Sequence, residues 1–269
     1  MGFREVLWAE WMAFYRDLMR RKSLVVSMLI YPYLLTVLFL VMGLAIGGIS
    51  SFAARFHVSP IVFFVTMSHL MLTILIGTDT ITQRPASDMW AGTLPYIIIS
   101  PLPRLWKYFA VALPPIAPFA LQGLVCLLPV YAYYYGYEGV LVALAIIAAT
   151  LTASLLIIPV AMIVAGISYT VSEEGWRIVN IVRPLLLILL GVYYPRYLLP
   201  LVFRLATMII PSSNMVELVQ LILVNSLTTS TASMLIGLSI AVFVILLPLG
   251  SKMISSWEER IRVRGVKEY

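Results

Sequence analysis

Charge is scarce in this chain. Only 11% of its 269 residues are Asp, Glu, Lys or Arg, against 62% hydrophobic, and the mean hydropathy is +1.00. An ordinary soluble domain carries about 25% charged residues, so that class is excluded. Cysteine is nearly absent. A lone Cys126 lies inside an apolar run, so no intramolecular disulfide can form. The two histidines, with no clustered carboxylates, give no metal-binding set. None of the four lysines follows a glycine, so there is no phosphate-binding P-loop. Intramembrane protease patterns are also incomplete. Gly166-Ile167-Ser168-Tyr169 lacks the second Gly and a later His, and Asp79 after Gly77-Thr78 has no second intramembrane Asp. An enzyme with chemistry of its own is not expected.

Long apolar runs dominate what remains. Runs at about 23–47, 59–81, 108–135, 140–170, 178–195 and 230–251 are read as membrane-crossing helices, since roughly 18 or more apolar residues span a hydrocarbon core of about 30 Å. Between the fifth and sixth lie two shorter pieces, 197–210 and 213–225, separated at Pro211. Asn214 with Glu217 forms a capping-box pattern for the second piece. Charge decides whether this pair crosses. If 197–225 is a re-entrant hairpin, fifteen of the eighteen basic residues share one side, with only Arg55, Arg196 and Arg204 opposite. Basic residues beside spans favour the cytoplasm. The expectation is therefore six spans in the cell membrane, both termini cytoplasmic, in one transmembrane domain. The positive balance of +6 reflects topology and contact with membrane lipid, not nucleic acid.

Two segments at the cytoplasmic side stand out. In residues 1–22, Phe3, Leu7, Trp11, Phe14 and Leu18 recur at helical spacing, predicting an amphipathic helix lying along the membrane, with Glu10 intruding on its apolar side. The 82–107 loop carries a second helix at about 87–96. Ser87 and Asp88 are suited to cap it, Gly92 to end it, and Trp90, Leu94 and Tyr96 to offer another protein a surface.

The triplet Gly92-Thr93-Leu94, followed by Ser100-Pro101-Leu102-Pro103-Arg104, resembles the first cytoplasmic loop of type-2 ABC transporter permeases. The amphipathic first helix, the six spans and the broken hairpin marked by Pro195, Pro200 and Pro211 resemble that family's layout. So does the basic tail from Trp257 to Gly265. Pro95 stands where members often have an acidic residue, and Trp90-Ala91 where they often have a charged pair. The resemblance implies an exporter subunit that pairs with a second copy or a related permease and rests on a separate ABC ATPase. That ATPase would hold ATP and Mg, while this chain binds no cofactor. The implied coupling residues are Asp88, Met89, Trp90, Gly92, Thr93 and Leu94.

Other polar residues have two readings. His69, mid-span, reads first as an interhelical hydrogen bond and second as a pathway residue. Asp79 and Arg183 are expected to pair. Arg204 and Glu217, on opposite arms of the hairpin, are expected to pair or to line an outer gate. Pro159 predicts a bend, Gly43 and Gly47 make a GxxxG pattern, and the tyrosines at 131–137 suit an interfacial belt. The alternatives to an ABC permease are a secondary transporter or channel without an ATPase, and a non-transporting membrane scaffold.

Overall fold

The computed structural model describes residues 2–48, 58–100, 102–171, 174–194, 196 and 199–264; among these every regular element is a helix and there is no strand. Arg55, Pro101, Pro195, Gly265 and Lys267 lie outside the described residues. The helices run α1 Phe3–Arg20, α2 Lys22–Ala45, α3 Pro60–Thr82, α4 Arg84–Trp90, α5 Leu94–Ile99 and α6 Arg104–Ile116. They continue with α7 Pro118–Leu156, α8 Ile158–Val171, α9 Gly175–Leu190, α10 Leu201–Met208, α11 Pro211–Leu223 and α12 Thr229–Arg264. Proline punctuates the start of many of them. Pro60, Pro85, Pro95, Pro118 and Pro211 occupy first or second helical positions, where a missing N–H loses nothing.

Among the described residues, four helical stretches are long and apolar enough to cross a membrane: α2, α3, the run Arg104–Val171 and α12 through Val263. A fifth arises if α10 and α11, bent 104° from one another, count as one. The long run doubles back at Gly136, whose φ of 63° and ψ of −144° suit glycine alone. A Cβ on Gly123 would lie 2.8 Å from the Ile147 side chain, although these residues would be about 36 Å apart on a straight helix. The two arms are therefore packed antiparallel. Near Pro159, where a bend is expected, the helical run is interrupted at Ile157.

α3 is the central helix. In its apolar window 72% of residues are buried, against 11% for α2 and for α12. Val62, Met67, Leu70 and Ile74 of α3 join Leu127, Tyr131, Ala143 and Ile146 of α7 and Val216 and Val219 of α11 in the main core. A second cluster joins Ile81, Tyr108, Ala112, Ile158, Met162 and Ile254.

Several expectations need correction. Gly47 lies beyond the end of α2 with φ of 72°, so Gly43 and Gly47 do not share a helical face; Gly47 ends the helix. α11 begins at Pro211, which puts Asn214 inside the helix and not at its cap. Up to Arg264 the tail is no separate segment, because α12 runs 36 residues, about 54 Å, well beyond a hydrocarbon core of about 30 Å. Of the predicted apolar face of α1, Phe3, Leu7, Phe14 and Leu18 are partly buried but Trp11 is exposed. Tyr133 and Tyr137 are exposed as a belt requires, whereas Tyr131 turns inward to bond Thr66 at 2.8 Å.

Candidate functional site

One end of the bundle gathers α1, the 83–103 loop, the end of α8, the start of α9 and the extension of α12. Here the loop is two short helices, not the single 87–96 helix expected from the sequence. Gly92, with φ of 66°, separates α4 from α5. Thr93 closes the turn by donating its N–H to the Asp88 carbonyl at 3.0 Å. Ala86, Leu94 and Ile98 face inward against Tyr169, Val179 and Trp257, with Met89 partly covered beside them. With that face buried, the opposite face of the loop turns outward. Trp90 is 77%, Tyr96 73% and Ile99 77% exposed.

Ion pairs fasten this loop. Asp88 is a mid-helix residue, not the predicted cap, and is 4% exposed. Its carboxylate meets Arg84 at 2.9 Å and Lys107 at 3.1 Å. Arg84 in turn grips Glu10 of α1 through two hydrogen bonds of 2.7 and 3.0 Å. Burial works against the Arg84 charge, but Glu10 and Asp88 outweigh it and hold its pKa above the ordinary arginine value. The intrusion of Glu10 into an apolar face thus has a cause: it reaches this pair. Phe3 of α1 meets Trp106 edge-on at 5.2 Å.

A second fastening closes the far end of the loop. Arg104 donates to the carbonyls of Ile98 and Leu102 at 3.1 Å and of Ser100 at 3.3 Å, and pairs with the buried Glu258 of α12. Arg262, also on α12, donates to Ile98 O. One planar guanidinium serving three carbonyls and a carboxylate is a task that suits arginine and not lysine. The loop is thereby a rigid platform tied to α1, α6 and α12.

The remaining predicted residues lie elsewhere. His69 is fully buried, with Nδ1 3.1 Å from Gln122 Oε1 on the neighbouring α7, which is the interhelical bond expected first. Asp79 and Arg183 pair at 2.6 Å. Glu217 and Arg204 do not pair with each other. Glu217 meets Arg196 at 2.7 Å, while Arg204 is exposed on the short α10. Arg196 wins because it is buried, and there it also donates to Ser213 Oγ at 3.0 Å and Asn214 Oδ1 at 2.9 Å. Burial pulls the Arg196 pKa below its ordinary value; Glu217 opposes that, and the like charge of Arg204 adds to it. Gln220 completes the knot, donating to the Gly191 carbonyl at 2.8 Å. Ser212 donates to Ala153 O at 2.6 Å and Ser239 to Pro211 O at 3.2 Å. The bend between α10 and α11 therefore sits about ten residues, roughly 15 Å, along α12 from its start at Thr229.

Sequence reasoning missed Arg196, Lys107, Glu258 and Gln122 as organising residues. The signal available was a lysine, a carboxylate or an amide beside or within an apolar run, where each needs a partner. No protein-family model matches the chain, and neither does any curated protein or solved structure.

Proposed function

We propose that this chain is the membrane-spanning permease subunit of an ATP-driven ABC transporter, working as an exporter beside a separate ATPase. The reading rests on the resemblance of the 92–104 segment and on one observation: an exposed apolar trio, Trp90, Tyr96 and Ile99, on a platform pinned by buried ions. Aromatic residues standing in solvent on a rigid support suit a docking anchor. A pinned platform passes displacement to the helices behind it, which a loose connector does not.

In this reading the six crossings are α2, α3, the two arms on either side of Gly136, α9 and α12. α9, at 16 residues about 24 Å, completes its crossing with the turn that follows. α10 and α11 enter and return on the outer side, consistent with their bend lying well below the start of α12. Both termini and the platform face the cytoplasm, as the distribution of basic residues supports. α2 and α9 present apolar faces, among them Leu34, Leu38, Ile181 and Leu185, to lipid and to a second copy or related permease. ATP and Mg belong to the ATPase, which docks at Trp90.

Co-purification from membranes expressing both subunits tests this. Trp90→Asp and Tyr96→Asp each alter only an exposed side chain, so the protein is expected to stay folded while retention of the ATPase falls at least tenfold. Undiminished retention in both variants, or cargo movement by the purified chain without nucleotide, would refute the proposal.

A further inference from the structure

Two prolines inside neighbouring spans leave carbonyls without donors. Pro32 in α2 has no N–H, so the Met28 carbonyl one turn earlier has no helical partner; Pro129 in α7 does the same to the Val125 carbonyl. Hydrocarbon supplies no substitute, and the repair must come from another helix. Each span repairs the other. Gln122 Nε2 of α7 donates to Met28 O, and Cys126 Sγ lies 3.4 Å from Leu29 O. In return Tyr33 OH of α2 lies 3.2 Å from both the Val125 and the Cys126 carbonyl oxygens.

α3 holds the exchange in register. Because the Gln122 amide nitrogen is committed to the Met28 carbonyl, its oxygen is the acceptor, and His69 Nδ1, at 3.1 Å, is the ring nitrogen that carries the proton. The fit is close: a Cβ on Gly123 would fall 2.9 Å from His69 Nε2. Elsewhere α2 is thinly held, with 11% of its apolar window buried; Phe39 packs on Phe64 at 5.6 Å and on Tyr193 at 4.3 Å between ring centroids.

We propose that Pro32 and Pro129 form a paired hinge at which α2 swings against α7, and that Gln122 and Tyr33 are its catches. They hold the hinge shut by occupying the carbonyls that the prolines leave bare. His69 is a positioning residue that fixes the Gln122 amide. Opening strips two carbonyls in a dry environment, so the closed form is the resting one, and the swing requires water or another donor to reach the kinks. The hinge is independent of what drives the protein, and its test does not involve an ATPase.

The test is a pair of double-mutant cycles in lipid nanodiscs, read as thermal midpoint and as deuterium uptake by peptides covering 28–36. Gln122→Leu is expected to lower the midpoint and raise the uptake. In a Pro32→Ala background the backbone N–H restored at that position takes the Met28 carbonyl, and the same substitution should lose more than half of both shifts. Tyr33→Phe should behave likewise with and without Pro129→Ala. Equal shifts in both backgrounds, in either cycle, would overturn the hinge, because the side chain would then be contributing packing alone. Failure of Gln122→Leu to fold in both backgrounds would count against it equally; folding only with Pro32→Ala would support it.

Discussion

Replacing Asp88 by Ala is expected to unseat the platform formed by α4 and α5. The carboxylate is 4% exposed and serves two cations, Arg84 and Lys107. Arg84 keeps Glu10 when Asp88 is lost, so its charge stays compensated. Lys107 does not. It is 6% exposed, and what remains is the Tyr108 ring, 5.3 Å from its ammonium nitrogen, and the more distant charge of Glu258, which is committed to Arg104. Removing one member of a buried pair destabilises by about 3–5 kcal/mol, chiefly because the other charge is stranded. Replacing both by apolar residues is often close to neutral. Asp88→Ala should therefore lose about 3–5 kcal/mol, and Asp88→Ala with Lys107→Met should recover most of it. The exposed Asp17–Arg21 pair, 3.0 Å apart, is the control, and its loss should cost about 0.5 kcal/mol or less. Equilibrium unfolding of the purified protein in mixed micelles measures all three. If the double variant is no more stable than Asp88→Ala, or if Asp88→Ala matches the surface control, the stranded-charge argument fails.

Two further outcomes follow from the opposite end of the chain's architecture. Arg196→Met should destabilise by about 1–3 kcal/mol, since it leaves the buried Asn214 and Ser213 without their shared donor and the partly exposed Glu217 without its partner, while Arg204→Met should stay within about 0.5 kcal/mol; a reversed order in unfolding would show that the exposed arginine is the structural one. Gly136→Ala should cost about 1–3 kcal/mol, because its φ of 63° and ψ of −144° lie in a region that only glycine enters freely. Gly136→Asn should not rescue it, and rescue would mean that the turn is an ordinary left-handed one.

Much of the architecture was legible in hydropathy, because a membrane helix must present long apolar runs to a solvent that cannot bond to its backbone. Pro211 marked the bend between α10 and α11 for the same local reason that any proline ends a helix. The Asp79–Arg183 pair was readable because each charge, set inside an apolar run, needed the other. Asp88 was not. Its position after Ser87 invites a capping role, whereas its actual partners include a lysine nineteen residues on and, through Arg84, a glutamate on the first helix. Glu10 looked like a flaw in an amphipathic face for want of the residue that answers it. Arg196 and Arg204 are equivalent in sequence, and only tertiary burial distinguishes them. Local chemistry fixes where helices begin and end; the partners of isolated charges are set by which faces meet.

Within the C-terminal stretch expected as a cytoplasmic tail, Trp257, Glu258 and Arg262 form one side of the packed cluster that holds Leu94 and Ile98. Trimming the chain where its apolar run ends near residue 251 would therefore not shorten a leash. It would amputate the back support of the surface on which Trp90 stands, and a fusion or tag joined there would inherit a position beside that surface.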